Sequence, residues 1–329
     1  MKNVAINGLG RIGRASLKII LDRDDMELVA VNDLVPVSNL AYLLKYDTVY
    51  GKYVKEVKHD EDNLIIEGKK IRVLNEKDPS KLPWKDMSVD TVFECTGIFT
   101  SRDELEKHID AGAEKVILSA PAKGDDMPTI VYGVNTGEGD KLIISCASCT
   151  TNCITPVVEV MKRRVGIEKA IMTTVHAYTS TQGIVDGPAK KVRRGRAGAA
   201  NLVPTSTGAA LATGKALPDV QGRFDGVAIR CPVPVGSIAD IVFLTSKEVS
   251  AEEINKIFEE EAAGEKYKDI LGVAEDEFVS SDIIGDPRAS VVDTAMTTVV
   301  DGNLVKVMSW YDNEWGYASQ MVKQSTSTD

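Results

Sequence analysis

The chain has 329 residues, 43% hydrophobic and 27% charged, with a formal net charge of −10. That length exceeds the roughly 100–200 residues of one domain and predicts two, while no stretch approaches the ~18 continuous apolar residues of a membrane span. The acidic balance argues against a general polyanion binder, and five cysteines, an odd number with three at positions 146, 149 and 153, do not read as a secreted disulfide framework.

From Met1 the sequence runs straight into a strand pattern, leaving no room for the basic region, apolar core and cleavage site of a signal peptide, so a cytoplasmic location is expected. Residues 2–7 form that strand and lead into Gly8-Leu9-Gly10-Arg11-Ile12-Gly13, followed by the helical spacing of Ile12, Leu17, Ile19, Ile20 and Leu21. Strand, glycine turn and helix in this order let a backbone approach a pyrophosphate, whose charge then sits at the helix N-terminus. A second strand, residues 27–32, ends at Asp33, where a carboxylate can accept from ribose hydroxyls and repel a 2′-phosphate. The alternative is a solvated aspartate capping the next segment. Strands at 91–95 and 115–119 place Thr96, Gly97 and Ser119 at carboxyl ends, the ligand-facing side of a doubly wound sheet. Between them, residues 102–111 read as an amphipathic helix with no evident chemistry.

A further strand, residues 142–145, precedes Cys146-Ala147-Ser148-Cys149-Thr150-Thr151-Asn152-Cys153 and a helical apolar pattern. A cysteine at a strand-to-helix junction has free N–H groups and a helix dipole to stabilise its thiolate, and the same N–H groups can hold an oxyanion. Pro156 predicts a kink or a later helix start. A metal would need further soft ligands, but Cys95 and Cys231 are isolated and His59, His108 and His176 lack ligand spacing. Cys95 and Cys231 read as buried structural thiols. The strand at 170–175 delivers His176, the candidate base; alone it reads as a structural histidine, paired with Cys149 as a proton acceptor.

These segments together resemble the phosphorylating glyceraldehyde-3-phosphate dehydrogenase family, from the Asn7-to-Arg14 opening, through Ala147-Ser148-Cys149-Thr150-Thr151-Asn152-Cys153 and Thr205-Ser206-Thr207-Gly208-Ala209-Ala210, to Ser309-Trp310-Tyr311-Asp312-Asn313-Glu314. The resemblance implies NAD contacts from Gly8, Gly10, Arg11, Ile12, Asp33, Lys77, Thr96, Ser119 and Asn313, with Asn313 orienting the nicotinamide carboxamide. It implies Cys149 as nucleophile and His176 as base, Thr179 and Arg230 on the substrate phosphate, and Ser148, Thr150, Thr207 and Gly208 on the attacking phosphate. The implied substrates are glyceraldehyde 3-phosphate and inorganic phosphate, and the implied assembly is a homotetramer; erythrose-4-phosphate dehydrogenase and a non-catalytic dinucleotide-binding protein are the rivals. The chain departs from the family pattern at Cys146, at Thr181 and Gly183, at Lys77 in place of a common arginine, and at Gly187, whose small size leaves room for NADP. The basic run Lys190, Lys191, Arg193, Arg194 and Arg196 reads as an interface or solvated loop, with nucleic-acid binding as the lesser alternative.

The expected architecture is α/β: a Rossmann-type parallel sheet over residues 1–148, an α+β catalytic domain with a mainly antiparallel sheet over 149–312, and a C-terminal helix, 313–329, returning to the first domain.

Overall fold

A computed structural model describes residues 1–139 and 141–326. The chain divides into two compact units, one of residues 1–130, 136–147 and 321 onward, the other of 131–135 and 148–320.

The first unit runs β1 (Lys2–Asn7), α1 (Arg11–Ile20), β2 (Met26–Asn32), α2 (Val37–Lys45), a small ribbon of β3 (Tyr46–Asp47) and β4 (Gly51–Lys52), β5 (Val57–His59), β6 (Asn63–Ile66), β7 (Lys69–Leu74), β8 (Thr91–Glu94), α3 (Arg102–Asp110), β9 (Lys115–Leu118) and β10 (Ile143–Ser145). Its main sheet has the order β10-β9-β8-β1-β2-β7-β6-β5, parallel from β10 to β7 and antiparallel in the last two strands. Val4, Ala5, Ile6, Val92, Phe93, Val116 and Ile117 are completely buried, as central parallel strands covered on both faces must be. Chain order reverses at β1, which pairs with β2 on one side and β8 on the other, so the crevice beyond its carboxyl end is the expected ligand position.

Glycine is required at two points in the first turn. Gly8 has φ +93°, and a Cβ there would lie 2.8 Å from the Thr96 backbone; a Cβ on Gly13 would lie 2.0 Å from the Gly8 carbonyl oxygen. Gly10 is different. Nothing stands within 4 Å of its Cβ position, so its backbone is open to an incoming group.

The second unit comprises α4 (Cys149–Arg164), β11 (Ile167–Ala177), β12 (Val203–Ser206), α5 (Ala209–Ala216), β13 (Phe224–Cys231), β14 (Ser237–Thr245), α6 (Ala251–Ala263), β15 (Leu271–Val273), β16 (Ser290–Val300), β17 (Leu304–Tyr311) and the start of α7 (Trp315–Gln324). Its sheet order is β12-β13-β11-β14-β17-β16-β15, antiparallel except for β11 with β13 and β15 with β16. Helices α4, α5 and α6 share one core with this sheet, where Ile154, Val157, Ile254 and Phe258 meet Ile241, Phe243, Val305 and Val307. This mixed architecture agrees with the fold class read from the sequence. Residues 327–329 of the expected last helix lie outside the described residues; from Met321 onward the chain counts with the first unit, and Ser325 accepts from Lys2 Nζ at 3.5 Å.

One local expectation is narrowed and one is corrected. Helix α4 starts at Cys149, so a later start is ruled out, and it runs on through Pro156 to Arg164. Residues 150–161 are buried without interruption, and that packing offsets the ~3 kcal/mol cost of an interior proline. Cys95 and Cys231 are not the buried thiols; both are partly exposed, because each lies at the open carboxyl end of a strand, whereas Cys146 and Cys153 are enclosed.

Candidate active site

The strand ends of the first unit surround a cavity of about 300 Å³ whose lining includes Gly8, Gly10, Asp33, Lys77 and Thr96, five of the residues singled out in the sequence. Asp33 takes part in the turn as well as facing the cavity: its Oδ2 accepts from Leu9 N at 2.7 Å and its Oδ1 from Val35 N at 3.1 Å. Gly10 occupies the N-cap of α1 with no side-chain cap, leaving the helix end accessible to an anion. The Arg11 guanidinium is held by Asp47, at 2.5 Å to Oδ2 and 3.2 Å to Oδ1, so its side chain serves the fold. Ser119 stands just past β9, where its hydroxyl bonds Cys95. An open backbone at a helix end beside a carboxylate fits the diphosphate and ribose of a dinucleotide.

In the second unit, register brings the reactive groups together. Parallel β11 and β13 pair His176 with Arg230, and antiparallel β12 places Val203 against Arg230. His176 Nε2 lies 3.4 Å from Cys149 Sγ, at the first residue of α4. Ser148 is that helix's N-cap, its hydroxyl oxygen accepting from Thr151 N at 3.1 Å. Cys149 as a residue is partly exposed.

The opposing effects on the pair are explicit. Burial pushes the Cys149 thiol up, while the Arg230 guanidinium and the amide and hydroxyl of Thr150 pull it down. His176 is lowered to about 3 by burial first and by Arg230 next, with Arg194 adding to the same effect. Its imidazole is therefore neutral throughout the working range and able to accept a proton. His176 Nδ1 lies 2.7 Å from the Ala177 carbonyl and 2.5 Å from an Arg230 nitrogen. A proton on Nδ1 satisfies the carbonyl and leaves the Nε2 lone pair toward the thiol; donation from Arg230 into Nδ1 puts the ring proton on Nε2, where it can donate to a thiolate. These are two tautomers of the neutral ring, and the first is the one whose Nε2 can accept a proton.

Several residues here were not identified from sequence as parts of the site. Tyr311 is buried edge-on to His176, and its hydroxyl bridges Thr150 Oγ1 (2.9 Å) and Thr174 Oγ1 (2.8 Å), tying the cysteine's helix to the histidine's strand. Ser237 Oγ accepts from Ala177 N and donates to Asn313 Oδ1 at 2.9 Å, fixing the Asn313 amide. Arg194, read from sequence as part of an interface or solvated loop, bonds Thr205 Oγ1 at 3.0 Å, two residues before Thr207. Thr207 Oγ1 accepts from Ala209 N, and Gly208 caps α5 with open space at its Cβ position. Thr179 bonds Thr181, one of the departures from the family pattern, at 2.9 Å. No periodicity marks such residues, since tertiary pairing alone makes them neighbours.

A thiol within proton-transfer distance of a neutral imidazole, on a chain whose other unit carries a dinucleotide crevice, belongs to oxidoreductases that hold an aldehyde covalently. Residues 2–102 match the family described as glyceraldehyde 3-phosphate dehydrogenase, NAD binding domain, and residues 148–313 match the C-terminal domain of the same enzyme. The chain is similar to proteins named glyceraldehyde-3-phosphate dehydrogenase from Streptomyces coelicolor (49% identity, covering 97% of this chain and 96% of the relative), Thermotoga maritima (50%; 98% and 97%) and Clostridium pasteurianum (46%; 98% and 97%). The class is an NAD-dependent oxidoreductase. Within it, the chain belongs to the glyceraldehyde-3-phosphate dehydrogenase family.

Proposed function

We propose that this chain oxidises glyceraldehyde 3-phosphate in the presence of inorganic phosphate to 1,3-bisphosphoglycerate, reversibly, through a thioester on Cys149. The observation that carries the reading is the 3.4 Å approach of Cys149 Sγ to His176 Nε2 beneath Arg230. Cys149 forms a C–S bond to the aldehyde carbon. His176 Nε2 then takes the hydroxyl proton as the C–H electron pair departs, leaving the thioester. Bound NAD supplies the acceptor for that electron pair. A phosphate oxygen attacks the acyl carbon and the Cys149 thiolate leaves, so the acyl phosphate conserves what hydrolysis would dissipate. N–H groups at the start of α4 face the developing oxyanion.

In this reading Arg230 and Thr179 hold the substrate phosphate, and Ser148, Thr150, Thr207 and Gly208 hold the attacking one. An anion beside Arg230 offsets the field that depresses His176, so substrate binding itself makes the base stronger. Gly8, Gly10, Ile12, Asp33, Lys77, Thr96 and Ser119, with the Arg11 main chain, hold NAD, and Asn313 orients its carboxamide. The test is NADH formation from glyceraldehyde 3-phosphate with and without phosphate, repeated with erythrose 4-phosphate and with NADP. Sustained turnover should require phosphate and prefer the three-carbon aldehyde, with NADP disfavoured by Asp33. Phosphate-independent turnover would identify a hydrolysing enzyme instead.

No helix among the described residues is long and apolar enough to cross a membrane. The second sheet exposes Val227, and it exposes Ile171 and Leu304 in a groove of about 970 Å³ that α5 also lines. An apolar sheet face of this kind is covered by other copies of the chain, giving the homotetramer. Light scattering should return about four times the 35.6 kDa chain mass; a monomer at micromolar concentration would refute it.

A further inference from the structure

Behind the dinucleotide cavity lies a chain of buried polar side chains that the proposed reaction does not use. Trp84 Nε1 donates to His108 Nδ1 at 2.9 Å, and His108 Nε2 lies 3.2 Å from Glu94 Oε2. Asn7 Nδ2 donates to the same carboxylate oxygen at 2.6 Å, and Asn32 Nδ2 donates to Asn7 Oδ1 at 2.7 Å. Asn32 Oδ1 accepts from Glu76 N at 2.9 Å. The other oxygen, Glu94 Oε1, accepts from Thr96 N at 2.8 Å and from the Thr96 hydroxyl. Trp84, Glu94 and His108 are completely buried.

Each link runs in one direction only. Indole can only donate, so His108 Nδ1 is the acceptor and the ring proton sits on Nε2, aimed at Glu94. A carboxylate only accepts, and here it faces four donors: His108, Asn7, and the amide and hydroxyl of Thr96. The Asn7 amide therefore turns its oxygen to Asn32, and the Asn32 oxygen is left for Glu76.

The positions in the sheet give this network its meaning. Asn7 pairs with Asn32 on one side and with Glu94 on the other, and each pair is the last rung of its ladder. One residue past those rungs Gly8 N still donates to the Asn32 carbonyl and Cys95 N to the Asn7 carbonyl, and from there the chain passes into the strand-end loops. Asn7, Asn32, Glu76 and Thr96 line the cavity, while Trp84, His108 and Glu94 stand behind it. The Thr96 backbone also fills the space where Gly8 would carry a Cβ, so the spacing of the two loops leaves no slack.

We propose that Trp84, His108 and Glu94 form a positioning relay that sets the spacing of the loops after β1, β7 and β8 and so pre-forms the dinucleotide site. They act through Asn7, Asn32 and Thr96 and touch no ligand themselves. The inference rests on the NAD-binding reading of that cavity.

The test measures the NAD dissociation constant by calorimetry on the full-length wild type, Glu94→Gln and Trp84→Phe, with melting temperature, kcat and both KM values. Glu94→Gln keeps the shape but points an amide N–H₂ into a site crowded with donors. It should raise the NAD dissociation constant and KM roughly tenfold or more, with kcat at saturating NAD and the aldehyde KM within about twofold. Trp84→Phe, remote from the cavity, should weaken NAD binding in the same direction by about threefold, and it keeps the proposal open to refutation if Glu94→Gln does not fold. NAD affinity unchanged in a variant whose melting temperature falls would overturn the relay and leave a core of purely structural bonds. A wild-type chain that binds no NAD overturns the cofactor reading itself, which is a separate and recognisable failure.

Discussion

Cys149→Ser should lose NADH formation by at least about three orders of magnitude while still binding NAD with wild-type affinity. The side chain keeps its place at the first turn of α4, but a hydroxyl titrates far above a thiol and is a far weaker nucleophile than a thiolate. The two other cysteines of the 146–153 cluster are not placed to substitute. Cys153 is fully buried, bonded to Ser290 and the Ser309 carbonyl, and pushed up to about 12; Cys146 is buried and likewise raised to about 12. Calorimetry with NAD beside an aldehyde assay separates binding from chemistry, because the cofactor residues proposed in the first unit are untouched by the substitution. Turnover within tenfold of wild type would mean that another group forms the covalent bond, and the thioester route would have to be abandoned.

The second large effect is expected at His176. Replacing it with asparagine removes the imidazole that lies within hydrogen-bonding reach of Cys149 Sγ and can both accept and return a proton. General-base catalysis of this kind contributes about 10²–10⁴-fold, and kcat should fall by that amount with NAD affinity unchanged. Alkylation of Cys149 by iodoacetamide should also slow at neutral pH, and its pH profile should move upward, because the thiolate loses the hydrogen bond that an Nε2–H can give and keeps the burial that already raises the thiol. A kcat loss below tenfold, or an alkylation profile that does not move, would show that His176 supports the strand and leaves proton transfer to solvent. The two measurements also divide His176 from Tyr311, which bonds Thr150 and Thr174 but does not reach the sulfur in this geometry.

The glycine turn was readable because its cause is local. Gly8 must adopt a positive φ and Gly13 has no space for a Cβ, and both constraints act over a few residues. Asp33 was readable for a similar reason: the length of a strand–helix–strand unit fixes where the second strand ends. Cys149 was legible at a junction where an apolar strand gives way to a helix. The burial of the cysteines was not. Which thiols are enclosed depends on what packs over each strand end, and the assignments of Cys95 and Cys231 were reversed on that account. Where α4 begins was not legible from Pro156, because one missing hydrogen bond does not fix a helix start that the Ser148 cap and the packed surroundings decide. Helix α3 showed no chemistry as a sequence, yet it carries His108 into the buried network behind the dinucleotide cavity.

The sequence by itself determined the two-part α/β organisation, the glycine turn, the candidate nucleophile and the family resemblance, since each is written in short runs whose spacing is set by backbone geometry. Tertiary structure alone decided that Arg230 lies against His176, that Tyr311 joins Thr150 to Thr174, and that Arg194 acts on the histidine and not only on solvent. Such pairs are separated by tens of residues or more along the chain. Strand register brings them together, and their charges influence one another only once burial has removed the water between them.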